Sequence, residues 1–431
     1  MRQFDTAKDD PDTIHVALTE RPEEELVQVE AAVRQVLADV KSRGNEAVAE
    51  YTRRFDWPAA TAQTLQVPPD ELIQARSEAD SQTLDVMSQA AKNIRAFHLA
   101  ERAHLQSWTL SGQTGRSLGQ IIQPVERVGL YIPGFLADYP STVLMAAIPA
   151  MVAGVKEVIL CTPPGRNGKI VSLVAAAAAE LKIERVFRIG GAQAIGAMAY
   201  GTQTVPKVDV IAGPGSQYVN TAKRQVYGVV GIDMLAGPSE VAVIADENAN
   251  PAFVAADLLA QTEHGPENRG VLFSPSAALL EAVKAEIESQ RQSLDRREIL
   301  EKSANNLITV TTRDIKEAVE LSNLLAPEHL ELQVDDPQAL LPSVRNAGAV
   351  LLGRYTSAPI GDYIAGPSHT LPTAGAARFS SPLSVSTFMK RTSVISYSEE
   401  AAREVAEDVA RFALAEGFDA HAAAARIRAR S

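Results

Sequence analysis

The stretch "RVFRIGGAQAIGAMAYGTQTVPKVDVIAGPGSQYVNTAKRQVYG", residues 185–228, changes texture three times. A short run of branched and aromatic residues (185–189) gives way to Gly-Gly and an alanine-rich segment with helical spacing. A second short apolar run, 207–213, closes on Gly-Pro-Gly, and another helical segment follows. Strand-like runs alternating with helices at this spacing build βαβ units and a mostly parallel sheet.

The alternation extends in both directions. Upstream lie "RVGLYIPG" (127–134), a helical stretch at 141–153, the strand-like "EVILC" (157–161) and the helical "VSLVAAAAAEL" (171–181). Downstream, strand-like pieces at 240–245, 270–273, 306–311 and 349–352 are separated by helices. Residues 27–104 place apolar side chains at three- and four-residue spacing, a helical pattern punctuated by Gly44 and Pro58. Residues 1–26 are polar and read as an arm. Residues 399–431 read as one alanine-rich helical region, too small to fold alone, which must dock on the body or on another chain. The fold class is α/β, and ligands in such sheets bind outside the strand carboxyl ends. Ala-Gly-Pro occurs at 212–214, 236–238 and 365–367. Such turns either simply end strands or line a ligand-bearing face.

Composition narrows the function. The net charge of −12 argues against a general binder of nucleic acid or anionic membrane. It leaves room for a small anionic ligand held by backbone amides. The opening residues are too polar for a signal peptide, and "TVLMAAIPAMVAGV" is too short to span a bilayer and contains Pro149. The one cysteine, Cys161, rules out an intrachain disulfide and reads as a core residue at a strand end. A cytoplasmic location is expected.

The candidate chemistry sits in the back half. No stretch matches G-x-G-x-x-G, so a dinucleotide site is permitted by the fold class without being marked by a fingerprint. His15, His98 and His104 lack partners in a tight motif and read as surface or packing residues. "NPAFVAADLLAQTEHGPE" reads as a helix with Asn250 as N-cap, Pro251 first and Gly265-Pro266 as the stop. Gln261 and His264 then share a face in its last turn. "GDYIAGPSHTLP" adds Asp362 and His369 in a segment expected to be an irregular loop, and "EGFDAHAAAARIR" puts Glu416 and His421 on the tail. Gln261, His264, Asp362 and His421 together make an N/O ligand set suited to zinc, although no Cys or His₃ spacing forces that reading. In "LLAPEHLEL" (324–332), Glu328 and His329 stand side by side. In extended chain adjacent side chains diverge, so joint action requires irregular backbone there.

Taken in order, "RVGLYIPG", "YPSTVLMAAIPAMVAGV", "GGAQAIGAMAYGTQTVPKVDVIAGPG", "GIDMLAGPSEV", "DLLAQTEHGP", "APEHLEL", "GDYIAGPSHTLPTAGAARFSSPLSV" and "FMKRTS" resemble the histidinol dehydrogenase family over about residues 30–425. The resemblance implies two incomplete Rossmann-like domains with parallel sheets. It divides the chain into an N-terminal arm (1–26), a discontinuous main α/β domain (27–130 and 238–381), an NAD-binding domain (131–237) and a helical tail (382–431) exchanged in a homodimer. It implies oxidation of L-histidinol through L-histidinaldehyde to L-histidine, with one Zn2+ per subunit and two NAD per turnover. Gln261, His264 and Asp362 match metal ligands of one subunit, and His421 matches the ligand given by the partner's tail. These ligand positions also border the substrate, which the zinc holds through its imidazole and amino nitrogens. Ser239, His369 and Glu416 match further substrate contacts. Glu328 and His329 match the acid/base pair: His329 for the alcohol proton, Glu328 for the water that hydrates the aldehyde.

Tyr131 and Gln193 match NAD contacts, while Ser216 stands where the family usually has asparagine. Phe135 replaces the second glycine of a Pro-Gly-Gly loop. Both changes predict weaker NAD binding with the metal and acid/base groups intact. Two relatives of this reading stay open: a paralogue oxidising another small alcohol, such as sulfopropanediol, and a zinc-binding homologue impaired in NAD use. A zinc hydrolase that employs Glu328 on water is the alternative from another class.

Overall fold

The computed structural model describes residues 1–20, 26–111, 115–134 and 138–430. Two compact units emerge: Met1–Leu99 with Glu126–Phe388, and Ala100–Val125 with Met389–Ser431.

The first unit is α/β with two parallel sheets. The larger has six strands in the order Arg2–Asp5, Leu307–Thr311, Arg269–Ser274, Glu240–Ala245, His329–Gln333, Ala349–Leu352. All six residues of Glu240–Ala245 are buried, as a strand covered on both faces requires. Val241, Val243 and Ala245 join the core formed with helices Pro251–Thr262 and Ala277–Gln290. Ala242 and Ile244 join the opposite core with helices Pro11–Thr19 and Ile315–Leu325. Each fully buried valine or isoleucine there contributes about 1.5–3 kcal/mol. The helices begin where the sequence caps them: Asn250 accepts from the Ala252 N–H, and Asp314 from that of Glu317.

The polar arm is more structured than its composition suggests. Arg2–Asp5 adds an edge strand beside Leu307–Thr311, and helix Pro11–Thr19 buries Ile14, Ala17 and Leu18. Three apolar residues are enough for one stripe and too few to stand out among charges. Strand His329–Gln333, central in the sheet, also went unmarked as a strand in the sequence, since its Glu331 breaks the apolar run.

The smaller sheet orders Arg185–Arg188, Glu157–Thr162, Arg127–Tyr131, Val210–Ala212 and Gly231–Ile232, all parallel. Its core is shared with helices Leu26–Arg43, Asn45–Phe55, Gly191–Tyr200 and Gln217–Val226. Residues 26–55 therefore pack with this sheet. Cys161 is a buried residue near the end of its strand, where burial pushes the thiol pKa up.

The second unit holds a three-stranded antiparallel sheet, Trp108–Ser111, Arg116–Pro124 and Met389–Tyr397. Helices Glu399–Ala415 and Asp419–Arg430 pack on one another. The expected single tail helix is two, because Gly417 at φ +81° breaks it. Trp108, Leu110, Ile395, Phe412 and Ile427 are exposed on this unit. Among the described residues, no helix is long and apolar enough to cross a membrane.

Candidate active site

Helix Ile315–Leu325 ends at Ala326, which reverses the chain at φ +50°. A non-glycine residue held there costs about 1–2 kcal/mol, which the surrounding contacts must offset. Gly348 shows how tight those contacts are. A Cβ at that position would lie 2.6 Å from the Glu328 carbonyl oxygen. The N–H groups of Gly348 and Ala349 donate to the carbonyls of Pro327 and Glu328 at 2.9 and 2.8 Å. Glu328 occupies a bend, and His329 opens the strand, already in register with Val241 and Ala349. The irregular backbone thus includes Glu328 and stops at His329. That is enough to bring His329 Nδ1 within 3.9 Å of Glu328 Oε2.

Both side chains are buried, and their surroundings set their charge. Glu328 Oε2 accepts from the Glu240 N–H at 2.9 Å. Burial pushes its carboxyl up to about 7, against the opposing pull of His329 and of that N–H. For His329, burial works against the imidazolium. The bond from Nε2 to Asp362 Oδ1, 3.2 Å, and the nearby Glu328 charge outweigh it and push the ring up to about 9. Its buried Nδ1 has no hydrogen-bond partner and so is available to a ligand.

Asp362 lies in Gly361–Ala365, a turn of π-helix where an irregular loop was expected. Five residues are too few for apolar periodicity to reveal such a turn, which often marks functional positions. Although burial opposes it, the His329 bond and the fields of His329, His369 and His264 hold the Asp362 carboxyl below its ordinary value. His369 Nδ1 donates to the Asp362 carbonyl at 2.9 Å, since a carbonyl only accepts. Its Nε2 is thereby left to accept from Thr142 Oγ1 at 3.2 Å. Burial lowers the His369 pKa.

The same logic fixes His264. Its Nδ1 donates to the Ala260 carbonyl at 3.1 Å, which leaves Nε2 as the ring atom open to a ligand. Gln261 is buried in the last turn of helix Pro251–Thr262. Among the described residues, no three His, Cys, Asp or Glu side chains close into a metal-holding group. The candidate set draws only His264 and Asp362 of those types from this unit. An imidazole nitrogen, a carboxylate and an amide oxygen nonetheless form a donor set that fits zinc, one ligand short of a tetrahedron. Ser239 stands just before strand Glu240–Ala245, its N–H bonded to Asn268 Oδ1 at 3.0 Å. Glu416 and His421 belong to the second unit. Glu416 caps the end of Glu399–Ala415, and His421 stacks near Phe418 with ring centroids 5.2 Å apart.

The cofactor candidates gather at the carboxyl ends of the five-stranded sheet. Tyr131, buried at the end of its strand, accepts from the Gly191 N–H at 3.1 Å, and burial raises its pKa. Gln193 is buried in the first turn of Gly191–Tyr200. Ser216 is the exposed N-cap of Gln217–Val226, and its side chain makes no capping bond. Phe135 lies outside the described residues.

The expectation that ligands sit at strand carboxyl ends therefore fits one sheet only. Glu328 and His329 lie at the amino end of the six-stranded sheet. Gln261 and His264 lie there too, because a helix that crosses back between parallel strands ends beside their starts. The sequence reading missed Glu240, Asp257, Glu331 and Thr142, all buried polar groups around the site. A glutamate inside a strand pattern otherwise suited to a buried core, as in "EHLEL", is the signal that marks Glu331.

Known proteins resemble this chain over nearly its whole length. A family model described as histidinol dehydrogenase matches residues 19–429. The histidinol dehydrogenase of a Synechococcus species is 49% identical over 94% of this chain and 93% of its own length. That of Bacillus subtilis is 48% identical, covering 92% of each chain. The crystal structure of histidinol dehydrogenase from Elizabethkingia anophelis superposes with a TM-score of 0.93 at 34% identity, over 100% of this chain and 98% of that one.

Proposed function

The chain belongs to the histidinol dehydrogenase family of NAD-dependent oxidoreductases of histidine biosynthesis, and on that premise we propose the chemistry its residues perform. The substrate is L-histidinol, oxidised through L-histidinaldehyde to L-histidine with two NAD per turnover. The observation that carries this reading is the buried Glu328–His329 pair, bent onto one place beside Asp362.

In the first oxidation a hydride leaves the carbinol carbon for NAD while the hydroxyl proton passes to His329. Asp362 would hold a metal as well as the His329 ring, and a carboxylate shared in that way would support the imidazolium less, favouring the neutral imidazole a base requires at pH 7. In the second oxidation water adds to the aldehyde, Glu328 takes the water's proton, and the hydrate then gives up the second hydride. A carboxyl raised to about 7 is suited to that work near neutral pH. Gln261, His264, Asp362 and His421 from a second copy's tail would hold the zinc. When bound, it supplies a Lewis acid that anchors the substrate's imidazole and amino nitrogens and is not reduced. Ser239, His369 and Glu416 complete the substrate contacts in this reading.

Tyr131, Gln193 and Ser216 would contact NAD, beside the helix starts where dinucleotides bind in such sheets. The tail exchange draws support from the second unit itself. Strand Met389–Tyr397 is exposed along nearly its whole length, and apolar Trp108, Ile395 and Phe412 lie open. A surface of that kind asks for a partner, and a second copy of this chain provides one. A cytoplasmic location belongs to the same reading.

The test is NADH absorbance after a limiting, known amount of L-histidinol meets zinc-loaded protein and excess NAD. Two NADH per histidinol supports the full oxidation. One, with the aldehyde left over, removes the proposed water step; none refutes the substrate.

A further inference from the structure

Two acidic side chains, neither used by the chemistry above, lie buried against each other inside the six-stranded sheet's domain. Glu331, within strand His329–Gln333, is fully inaccessible, and Asp257 on helix Pro251–Thr262 is nearly so. Their carboxyl groups are in hydrogen-bonding contact. Gln333 Nε2 donates to both, at 2.7 Å to Asp257 Oδ2 and 2.9 Å to Glu331 Oε2. The Ala358 N–H donates to Glu331 Oε1 at 3.0 Å.

Two ionised carboxylates cannot share a dry site, because like charges in contact repel strongly there. A single proton converts the repulsion into a charge-assisted bond. Burial, and secondarily the Asp257 charge, push the Glu331 carboxyl up to about 8, so the proton resides there at neutral pH. The titratable groups facing Glu331 are Asp257 from the helix and His329 from its own strand. The neighbouring strands set Val243 and Leu351 beside it, and Ala358 offers only its backbone.

Each element tied at this point carries a residue of the site. Asp257 lies one helical turn before Gln261. Glu331 is two residues past His329, on the same face of the strand. Ala358 leads the turn that ends at Asp362. We propose that Asp257 and Glu331 form a proton-sharing clamp, bracketed by Gln333, that positions Gln261, His329 and Asp362 for metal and substrate. This rests on the assignment of Gln261 and Asp362 as ligands. Both members are positioning residues and touch neither substrate nor metal.

The test compares zinc retention against a chelator, from pH 7 to 9.5, in the wild-type protein and in Glu331→Gln, with melting temperatures alongside. The glutamine amide donates to Asp257 and accepts from Ala358 with no proton to lose, and gives up only the bond from Gln333 Nε2, which keeps Asp257 Oδ2 as acceptor. Wild type and Glu331→Gln hold zinc alike at pH 7. At pH 9.5 the variant holds it roughly tenfold tighter, since wild type has by then lost the shared proton. A merely structural pair moves the melting temperature and leaves this ratio flat. Parallel profiles with zinc bound would overturn the clamp alone. Wild-type protein holding no zinc at pH 7 would overturn the ligand assignment and the clamp's purpose together. Glu331→Leu, if it folds, loses zinc at every pH; retention equal to wild type would also refute the clamp.

Discussion

Replacing Glu328 with glutamine separates its catalytic role from its structural cost. The amide keeps an oxygen to accept the Glu240 N–H, now donated at 2.9 Å to the carboxylate, so the local geometry has no reason to change. What disappears is the base. General-base contributions run to about 10²–10⁴-fold, so aldehyde oxidation falls at least 100-fold while alcohol oxidation stays within several-fold. With limiting L-histidinol the variant gives a first NADH at near wild-type rate and a second one very slowly. The rise of the wild-type second step through about pH 7 vanishes with it. Stability moves the other way. The Glu328 carboxyl is raised in the folded state from 4.5 to about 7, so the folded protein binds its proton more tightly than the unfolded chain. Stability from this group is complete below pH 4.5 and is lost as pH rises to about 7. At 1.36 kcal/mol per unit, the ionised carboxylate costs about 3 kcal/mol above pH 7. Glu328→Gln therefore melts higher than wild type at pH 8 and equally at pH 4.5. Two NADH at undiminished rate would refute the assignment of the water step, and equal melting at pH 8 would refute the account of the burial cost.

Asp362→Asn removes the charge that raises His329 and leaves at most a neutral amide oxygen for Nε2 to donate to. Imidazole NMR on the metal-free protein should show His329 titrating at or below its ordinary value near 6.5 instead of about 9, and no change would remove Asp362 as the cause. Ser216→Asn restores an amide where the side chain now caps nothing. The KM for NAD should drop a few-fold, equivalent to about 0.5–1.5 kcal/mol, with kcat held; an unchanged KM would detach Ser216 from the cofactor. For tail exchange, His264→Asn and His421→Asn are each inactive alone. Mixed and reassembled, they recover about a quarter of wild-type activity, because half the dimers are mixed and each of those has one intact site. No recovery from a confirmed mixed dimer would refute exchange.

The parallel architecture was legible because its strands are apolar on both faces and glycine and proline close them, as at 210–213 and 240–245. The antiparallel sheet of the second unit was not. Met389–Tyr397 reads "MKRTSVISY" and is mostly exposed, so no buried face imprints an alternating pattern on it. Helix boundaries followed capping chemistry at Asn250 and failed at Gly417, which looked like one small residue in an alanine-rich run. At the site, Gln261 falls in the last helical turn, as its spacing indicated, whereas His264 lies two residues past the helix end, in the turn that follows. The closeness of Glu328 to His329 depended on a backbone reversal at Ala326, a residue type that gives no warning of φ +50°. The clamp carboxylates escaped notice for a related reason. Asp257 and Glu331 are far apart in sequence, and only the packing of helix on strand brings them together.

The two sheets offer opposite ends to the site, and the physics of those ends suits what each would bind. At the carboxyl ends of the five-stranded sheet, helices Gly191–Tyr200 and Gln217–Val226 begin, presenting N–H groups and the positive ends of their dipoles. That environment favours the phosphates of a dinucleotide. At the amino ends of the six-stranded sheet a helix ends instead of beginning. Strand starts supply N–H donors, and that of Glu240 holds the Glu328 carboxylate. Helix Pro251–Thr262 ends there, and its Ala260 carbonyl orients His264. Helix carboxyl ends favour cations, and a metal ion is one. His369 joins the two ends, since it reaches Thr142 on the helix that follows strand Arg127–Tyr131 and the Asp362 carbonyl at the other sheet. In the proposed reaction a hydride crosses from the alcohol carbon to a dinucleotide, and opposed sheet ends meeting at one histidine supply the two environments side by side.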